Sequence, residues 1–192
     1  MWFDLVNAPS GRKPMGSEVS LSVAPTFVVR AAGSFKQKPG CPAWTHNELS
    51  KQRLDRICAG ECYNPSDQRH LITRIEIVRI RPQRSDGEPI APLIQDPWKT
   101  FTCTPDPNGC RAEFSDPEFA TGGRDVVYYV RAIQEPTQAI NAGNLRCKDA
   151  ACTQPDPCYG DYQTDSNDDC LSSNEERAWS SPIYVRFAKE AR

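Results

Sequence analysis

Cysteine and histidine are the residue types in this chain that are best suited to chemistry. The 192 residues include nine cysteines and two histidines. A reducing cytosol seldom supports so many thiols without a metal, so this count indicates disulfides and an extracytoplasmic location, periplasmic or secreted. Because nine is odd, one cysteine has a free thiol or a partner outside this sequence. The cysteines are Cys41, Cys58, Cys62, Cys103, Cys110, Cys147, Cys152, Cys158 and Cys170.

The spacing of Cys103 and Cys110 predicts a disulfide between them. The two residues bracket the turn sequence Pro-Asp-Pro-Asn-Gly at 105–109, so a bond between their sulfur atoms would close a short loop. The pairing of the other cysteines stays open here, because sequence alone does not determine disulfide connectivity.

Zinc is the alternative to disulfides for one group of residues. Thiolates and imidazoles suit a tetrahedral zinc ion, and the group offers both kinds of ligand. Its spacing is loose and contains no C-x-x-C pair, so disulfides are favoured and no metal or other cofactor is expected in this chain. The four residues are Cys41, His46, Cys58 and Cys62.

The acidic run from Asp161 to Asp169 offers hard oxygen ligands of the kind that calcium prefers. In an EF-hand count, position 6 requires glycine but is Cys170, and position 8 is normally apolar but is Ser172. A solvated turn inside a disulfide loop is therefore the favoured interpretation. The calcium candidates at positions 1, 3, 5 and 12 are Asp165, Asn167, Asp169 and Glu176.

No sequence pattern indicates a catalytic site. The two histidines, His46 and His70, are not part of a His-Glu-x-x-His motif or of a serine, histidine and acid grouping. The tryptophans Trp44, Trp98 and Trp179 could form a carbohydrate-binding platform, but they are scattered and are expected to fill the core or plug loops. The sequence thus predicts a domain without catalytic residues of its own.

The secondary-structure elements that position these residues are predicted to be mainly β-strands. Prolines and glycines lie between runs of β-branched and aromatic residues, as is typical of an immunoglobulin/fibronectin-like β-sandwich. In the run from Asp125 to Ile133, alternation places Val126, Tyr128, Val130 and Ala132 on the inner face. The predicted strands are 25–31, 72–81, 125–133 and 182–187, with weaker candidates at 2–6 and 19–23.

One helix and two cysteine-bearing segments interrupt this pattern within a single predicted domain, 1–192. Thr45 and Glu48 have the spacing of a capping box, and Gly60 stands where a helix would end. This predicts a short helical insertion within 40–64. A second long segment, 142–176, is rich in cysteine and aspartate.

Charge and hydropathy exclude two classes of partner. The net charge is −2 and no basic run is present, so nucleic acid is not an expected partner. The longest apolar runs fall far short of the roughly 18 residues that a membrane span requires. The first residues lack the pattern of a signal peptide, so we expect the chain to be a fragment of a longer exported precursor.

Several blocks of sequence are distinctive in their composition and order. They are WFDLVNAP at 2–9, PMGSE at 14–18, GECYNPSD at 60–67, TRIE at 73–76, DPW at 96–98, YYVRAIQEP at 128–136, DPCYGD at 156–161 and EERAWSSP at 175–182. Together these blocks resemble the C-terminal region of a bacterial family, domain of unknown function three-six-zero-four, whose members resemble the PHP (polymerase and histidinol phosphatase) metallo-phosphoesterases.

This resemblance implies that the chain is a non-catalytic accessory domain of a putatively metal-dependent hydrolase. A PHP-like domain would precede it, would hold the divalent metals and would be its partner in cis; an isolated fragment would then tend to self-associate. Two alternatives stay open: a free-standing calcium- or carbohydrate-binding module, and loops that complete the substrate site of the hydrolase domain. The residues considered for the latter are Arg12, Lys13, Glu18, Asn64 and Asp67.

Overall fold

A computed structural model describes residues 1–60, 62–140, 142, 146–158 and 164–188. Among them the chain is mainly β. The strands are β1 (Trp2–Leu5), β2 (Lys13–Pro14), β3 (Glu18–Leu21), β4 (Thr26–Ala31), β5 (Phe35–Pro39), β6 (Tyr63–Arg69), β7 (Ile72–Ile80), β8 (Ile94–Thr102), β9 (Cys110–Ser115), β10 (Val126–Gln134), β11 (Thr137–Ile140), β12 (Leu171–Asn174), β13 (Arg177–Trp179) and β14 (Ile183–Phe187). The helices are α1 (Thr45–Glu48), α2 (Lys51–Cys58) and α3 (Pro117–Gly122), with a 3-10 turn at Ala91–Leu93.

Two larger sheets form the body of the fold. One has the strand order β2-β1-β4-β9, and the other has the order β3-β14-β10-β7-β8, with β13 also paired to β10. The pairings are antiparallel except for β3 and β14, which run parallel. Two smaller hairpins, β5-β6 and β11-β12, stand outside these sheets.

A single hydrophobic cluster joins the two larger sheets. Phe3, Phe27 and Phe114 stack on one another from β1, β4 and β9, and the Phe27 ring lies 4.7 Å from that of Tyr128 on β10. Each of these side chains is buried. Such aromatic contacts add to the free energy gained by removing apolar surface from water, so this cluster is the main source of cohesion.

The strands that alternation predicts are present with ends shifted by a few residues. The predicted runs 25–31, 72–81, 125–133 and 182–187 correspond to β4, β7, β10 and β14, and the two weaker candidates correspond to β1 and β3. Val126, Tyr128, Val130 and Ala132 are all buried, which confirms the predicted inner face of β10.

The capping box predicted for the helical insertion is wrong, but the predicted glycine at its end is present. The helix is split into α1 and α2, because Leu49 is extended and the Ser50 side chain caps α2 by accepting from the Arg53 N–H. Thr45 instead donates its hydroxyl to the Pro42 carbonyl, 2.6 Å away. Ala59 is the left-handed C-cap of α2, and Gly60 follows it with a positive φ of 80°.

The segment 142–176 is less of a loop than expected. Its last part contains β12, which pairs with β11 through contacts such as Ile140 with Leu171. Asp161, from the acidic run, and the neighbouring Tyr159 and Gly160 lie outside the described residues.

No helix in the described ranges has the length and hydropathy needed to cross a membrane.

Candidate functional site

The clearest grouping of reactive side chains is a cavity that we call the cysteine cavity, lined by Cys41, His46, Cys58 and Cys62. The Sγ atoms of the three cysteines all lie within 4.8 Å of one another. The cavity has a volume of about 280 Å³, and Leu54 and Asp55 of α2 complete its wall. The structure thus brings together the four residues that the sequence singled out for zinc.

Local backbone structure explains why these residues meet. Cys41 and Cys62 lie where the segment that connects β5 to β6 begins and ends, and there the Gly40 N–H donates to the Cys62 carbonyl at 2.8 Å. Asn64 strengthens this contact, since its side-chain amide donates to the Gly40 carbonyl at 2.6 Å. Helix α2 returns across the hairpin and presents Cys58 as its last residue.

Two kinds of chemistry fit the cysteine cavity. In the structure Cys58 and Cys62 form a disulfide, and the Cys41 Sγ lies 2.7 Å from the Cys58 Sγ. In this state the Cys41 thiol is placed for thiol–disulfide exchange. With the disulfide reduced, the cavity would offer three thiolates, which zinc favours as ligands; His46 lines the same cavity but does not join the group formed by the three sulfur atoms.

The other cysteines form disulfides that close short loops. Cys103 is joined to Cys110, Cys147 to Cys152 and Cys158 to Cys170. The first of these bridges the loop between β8 and β9, and the other two lie within segment 142–176. Cys41 is the free cysteine, so the ninth thiol lies at the cysteine cavity.

The calcium candidates are engaged in local hydrogen bonds. Asp165 accepts from the Asn167 N–H at 2.9 Å and Asp169 accepts from the Leu171 N–H at 2.9 Å. The Glu176 carboxylate accepts from the Asn174 side chain at 2.6 Å. Within the described ranges, the carboxylates of Asp165, Asp169 and Glu176 do not gather into a metal-binding group.

A histidine and a carboxylate do meet at one place that the sequence pattern did not indicate. The His70 Nδ1 lies 3.2 Å from Glu135 Oε1, and Lys36 Nζ lies 3.1 Å from the same oxygen. The hydrogen bond from Lys36 is the main cause that lowers the pKa of Glu135. No hydroxyl or thiol among the described residues is hydrogen-bonded to the other ring nitrogen of His70, so the pair lacks a nucleophile.

The tryptophans do not form a platform. Trp98 is half-buried and packs against the Phe114 and Tyr128 rings of the core. Trp44 lies beside α1 and Trp179 lies on β13, and both are largely exposed.

The most deeply buried ion pair among the described residues joins Arg79 of β7 to Asp116. The Arg79 side chain is 2% exposed, and its Nη1 donates to both carboxylate oxygens of Asp116 at 2.9 Å. Its Nε donates to Gln95 at 2.7 Å, and its Nη2 donates to Glu118 at 2.8 Å. Asp116 also accepts from the Tyr128 hydroxyl at 2.6 Å.

Burial and hydrogen bonding fix the charge states in this cluster. Burial opposes the charged form of Arg79, but its hydrogen bonds to Asp116 and Glu118 raise its pKa overall. Burial, together with the hydrogen bond to Asp116, raises the pKa of Tyr128. Tyr128 therefore stays protonated as a hydrogen-bond donor, and the cluster is an ion pair rather than a proton-transfer site.

The residues considered for completing a neighbouring substrate site lie on or beside three strands, β2, β3 and β6. Glu18 of β3 pairs with Arg186, and Arg12 lies 3.5 Å from Asp4. Asn64 is buried and bonded to backbone, while Asp67 is exposed on the same strand, β6. Lys13 lies on β2.

Neither a protein-family model nor a curated protein nor a solved structure matches this chain. The resemblance drawn above from the blocks of sequence therefore stays a prediction.

Proposed function

We propose that this chain is a non-catalytic accessory β-domain of an exported protein, and that it acts by packing against a catalytic neighbour in the same polypeptide. The observation that carries the proposal is the network around Arg79, in which Arg79 and Asp116 neutralise each other and their remaining hydrogen-bonding atoms are taken up by Glu118, Gln95 and Tyr128. In an enzyme, buried ionisable groups with shifted pKa values normally face the substrate.

Strand order supports an immunoglobulin/fibronectin-like arrangement for this domain. The neighbours β1, β4 and β9 correspond to strands A, B and E of that fold, and β14, β10 and β7 correspond to G, F and C. Tyr128 takes the place of the corner tyrosine at the start of strand F. It departs from that pattern because its hydroxyl donates to the Asp116 carboxylate rather than to backbone.

Disulfides support the assignment to an exported protein. The structure contains four of them, and an oxidising compartment is where such bonds persist. The neighbour in cis would be the PHP-like domain implied by the resemblance, and the divalent metals would belong to that domain. Fold alone does not specify an activity, so the accessory role depends on the site residues described above.

The first experiment is a thiol count under denaturing conditions, paired with metal analysis of the purified oxidised chain. One free thiol per chain, from Cys41, without stoichiometric metal is expected for the accessory domain. The rate at which the unsubstituted chain hydrolyses nitrophenyl phosphate and nitrophenyl acetate should not exceed the rate of the His70→Gln variant. Turnover that this substitution abolishes would refute the non-catalytic assignment.

A zinc-binding module is the second candidate function, and the cysteine cavity is the observation that favours it. Stoichiometric zinc together with three free thiols would establish this role instead. A Cys41→Ser variant separates the two, because it should abolish zinc binding but leave the Cys58–Cys62 disulfide of the accessory domain intact.

The hypothesis that loops of this chain complete a neighbouring substrate site has a separate test. The Asp67 side chain is exposed, so Asp67→Asn in the full-length protein should lower turnover without changing the free energy of unfolding. Asn64→Ala is the matched comparison, since this buried amide is expected to affect stability.

A further inference from the structure

A second cavity, which we call the arginine cavity, lies beside the network around Arg79. Its volume is about 240 Å³. It is bounded by the end of β7, the segment 81–93 that follows, helix α3 and the start of β10. Four guanidinium groups line it, those of Arg79, Arg81, Arg84 and Arg124.

The charges that line the arginine cavity do not balance. Three carboxylates, those of Glu88, Asp116 and Glu118, face the four guanidinium groups, which leaves one positive charge in excess. Arg79 is paired with Asp116 and Glu118. The excess charge therefore belongs to the other arginines.

Hydrogen bonding locates the excess charge. Arg124 pairs with Glu88, whose carboxylate oxygen lies 2.7 Å from its Nη2. The Arg84 guanidinium group donates to the backbone carbonyls of Gly122 and Gly123, while the Arg84 backbone N–H donates to the Glu88 carboxylate at 2.7 Å. The Arg81 guanidinium group donates to the Pro92 carbonyl at 2.9 Å. In the described part of the chain, the hydrogen bonds of these two guanidinium groups thus go to neutral acceptors.

One donor of the Arg81 side chain has no partner at all. The Arg81 Nε is buried without a hydrogen-bond acceptor, and in the described part of the chain only the Ser172 hydroxyl shares this condition. Folded proteins rarely leave a buried donor unpaired, because desolvation of the group is then not compensated. The Arg81 guanidinium group, which lines the cavity, is therefore incompletely hydrogen-bonded within the protein.

We infer that the arginine cavity binds a small oxyanion, a phosphate or sulfate group, through Arg81 and Arg84. The planar guanidinium group matches the spacing of two oxygens on such an anion, and a charge-assisted hydrogen bond is stronger than one to a neutral acceptor. The apolar side chains of Leu93 and Phe119 line the same cavity. They can contact the organic group of a phosphate or sulfate ester.

The test is calorimetric titration of the purified chain with inorganic phosphate and with sulfate, at constant ionic strength, using chloride as the reference anion. We expect saturable binding of phosphate or sulfate and none of chloride. The Arg81→Lys variant retains the charge but loses the Nε donor, so its affinity should fall by about tenfold. Arg111→Lys is the matched control, because Arg111 is exposed on β9 and pairs with Glu113.

A second measurement does not depend on the variant folding. Nitrogen-15 NMR of the arginine Nε–Hε groups in the unsubstituted chain should show the Arg81 signal shifting as phosphate is added, and the Arg111 signal remaining in place. Phenyl phosphate then distinguishes a free ion from an ester: tighter binding than inorganic phosphate indicates an ester end group. An unmoved Arg81 signal, or equal affinity of Arg81→Lys and the unsubstituted chain, would overturn the inference and leave water as the occupant.

Discussion

Arg79 shows how one residue can hold a sheet and a helix together. It belongs to β7, its partner Asp116 begins α3, and Tyr128 reaches the same carboxylate from β10. The guanidinium group also lies 4.2 Å from the Trp98 ring. Asp116 has a further role, since its side chain accepts from the Glu118 N–H and caps α3. The links from Arg79 and Tyr128 to Asp116 cross between the sheet and α3, so they specify how these elements pack.

Replacing Asp116 by asparagine should therefore destabilise the chain strongly. The substitution leaves Arg79 as a buried charge without its main partner, and breaking a buried ion pair in this way costs about 3–5 kcal/mol. The change in the free energy of unfolding can be measured by urea denaturation monitored through tryptophan fluorescence.

Glu118→Gln provides the control for that experiment. Glu118 contacts the same guanidinium group but its side chain is 65% exposed, so its loss should cost below about 1 kcal/mol. Equal effects of the two substitutions would show that burial does not determine the strength of this network.

At the same scale, sequence reasoning identified the residues of the cysteine cavity but not those of the arginine cavity. Cysteine and histidine are scarce and chemically distinct, so four of them within 41–62 draw attention. The arginines come from positions 79–124, and arginine is usually a solvated surface residue. Their convergence depends on how β7, α3 and β10 pack, which no local spacing reveals.

At the scale of elements, alternation predicted most strands that bury one face, but it missed β9, which buries Ala112 and Phe114, and the strands with little buried surface. β4, β7, β10 and β14 carry apolar residues into the core, and a period of two is visible in them. β5, β6, β11 and β12 form polar hairpins with little buried surface. β8 is largely exposed and includes Pro97, which argues against a strand when only the sequence is known.

The loop between β8 and β9 should be sensitive to substitution of Gly109. This residue has a φ of 105°, and an added Cβ would lie 2.1 Å from the Ala31 carbonyl oxygen at the end of β4. Gly109→Ala must therefore displace either the disulfide loop or the pairing of β4 with β9. We expect a loss of stability clearly greater than the roughly 1–2 kcal/mol that a left-handed conformation alone costs.

Gly87→Ala isolates the conformational part of that effect. Gly87 also has a positive φ, of 87°, but an added Cβ meets nothing within 4 Å. Denaturation midpoints of the two variants should differ clearly, and similar midpoints would mean that the loop moves aside without cost.

Over the whole molecule, charged residues connect strands on the outside as Arg79 does on the inside. Arg131 of β10 contacts Glu76 of β7 and Asp96 of β8. Arg74 of β7 continues the series through a bidentate pair with Glu175, at 2.7 and 2.8 Å. These residues come from sequence blocks that are far apart in the chain, and the sheet brings them into one row of ion pairs.

Such pairing makes the stability of the whole chain depend on pH in a predictable direction. Hydrogen bonds from arginine lower the pKa of Glu175, bonded to Arg74, and that of Asp168, bonded to Arg146. A carboxylate whose pKa is lower in the folded state than in the unfolded state stabilises the fold when it is ionised. Its contribution is complete above the unfolded pKa, near 4, and is lost as the pH falls through the folded pKa.

We therefore expect the free energy of unfolding to be constant near neutral pH and to fall progressively below about pH 5. Glu175→Gln should lower stability at neutral pH by less than about 1 kcal/mol, because the pair is partly exposed and screened by solvent. At a pH below the folded pKa, Glu175 is protonated in both states of the unsubstituted chain, so the two stability curves should converge there. Urea denaturation across this pH range measures both curves, and a constant offset between them at every pH would mean that packing of the side chain, and not its charge, accounts for the effect of Glu175.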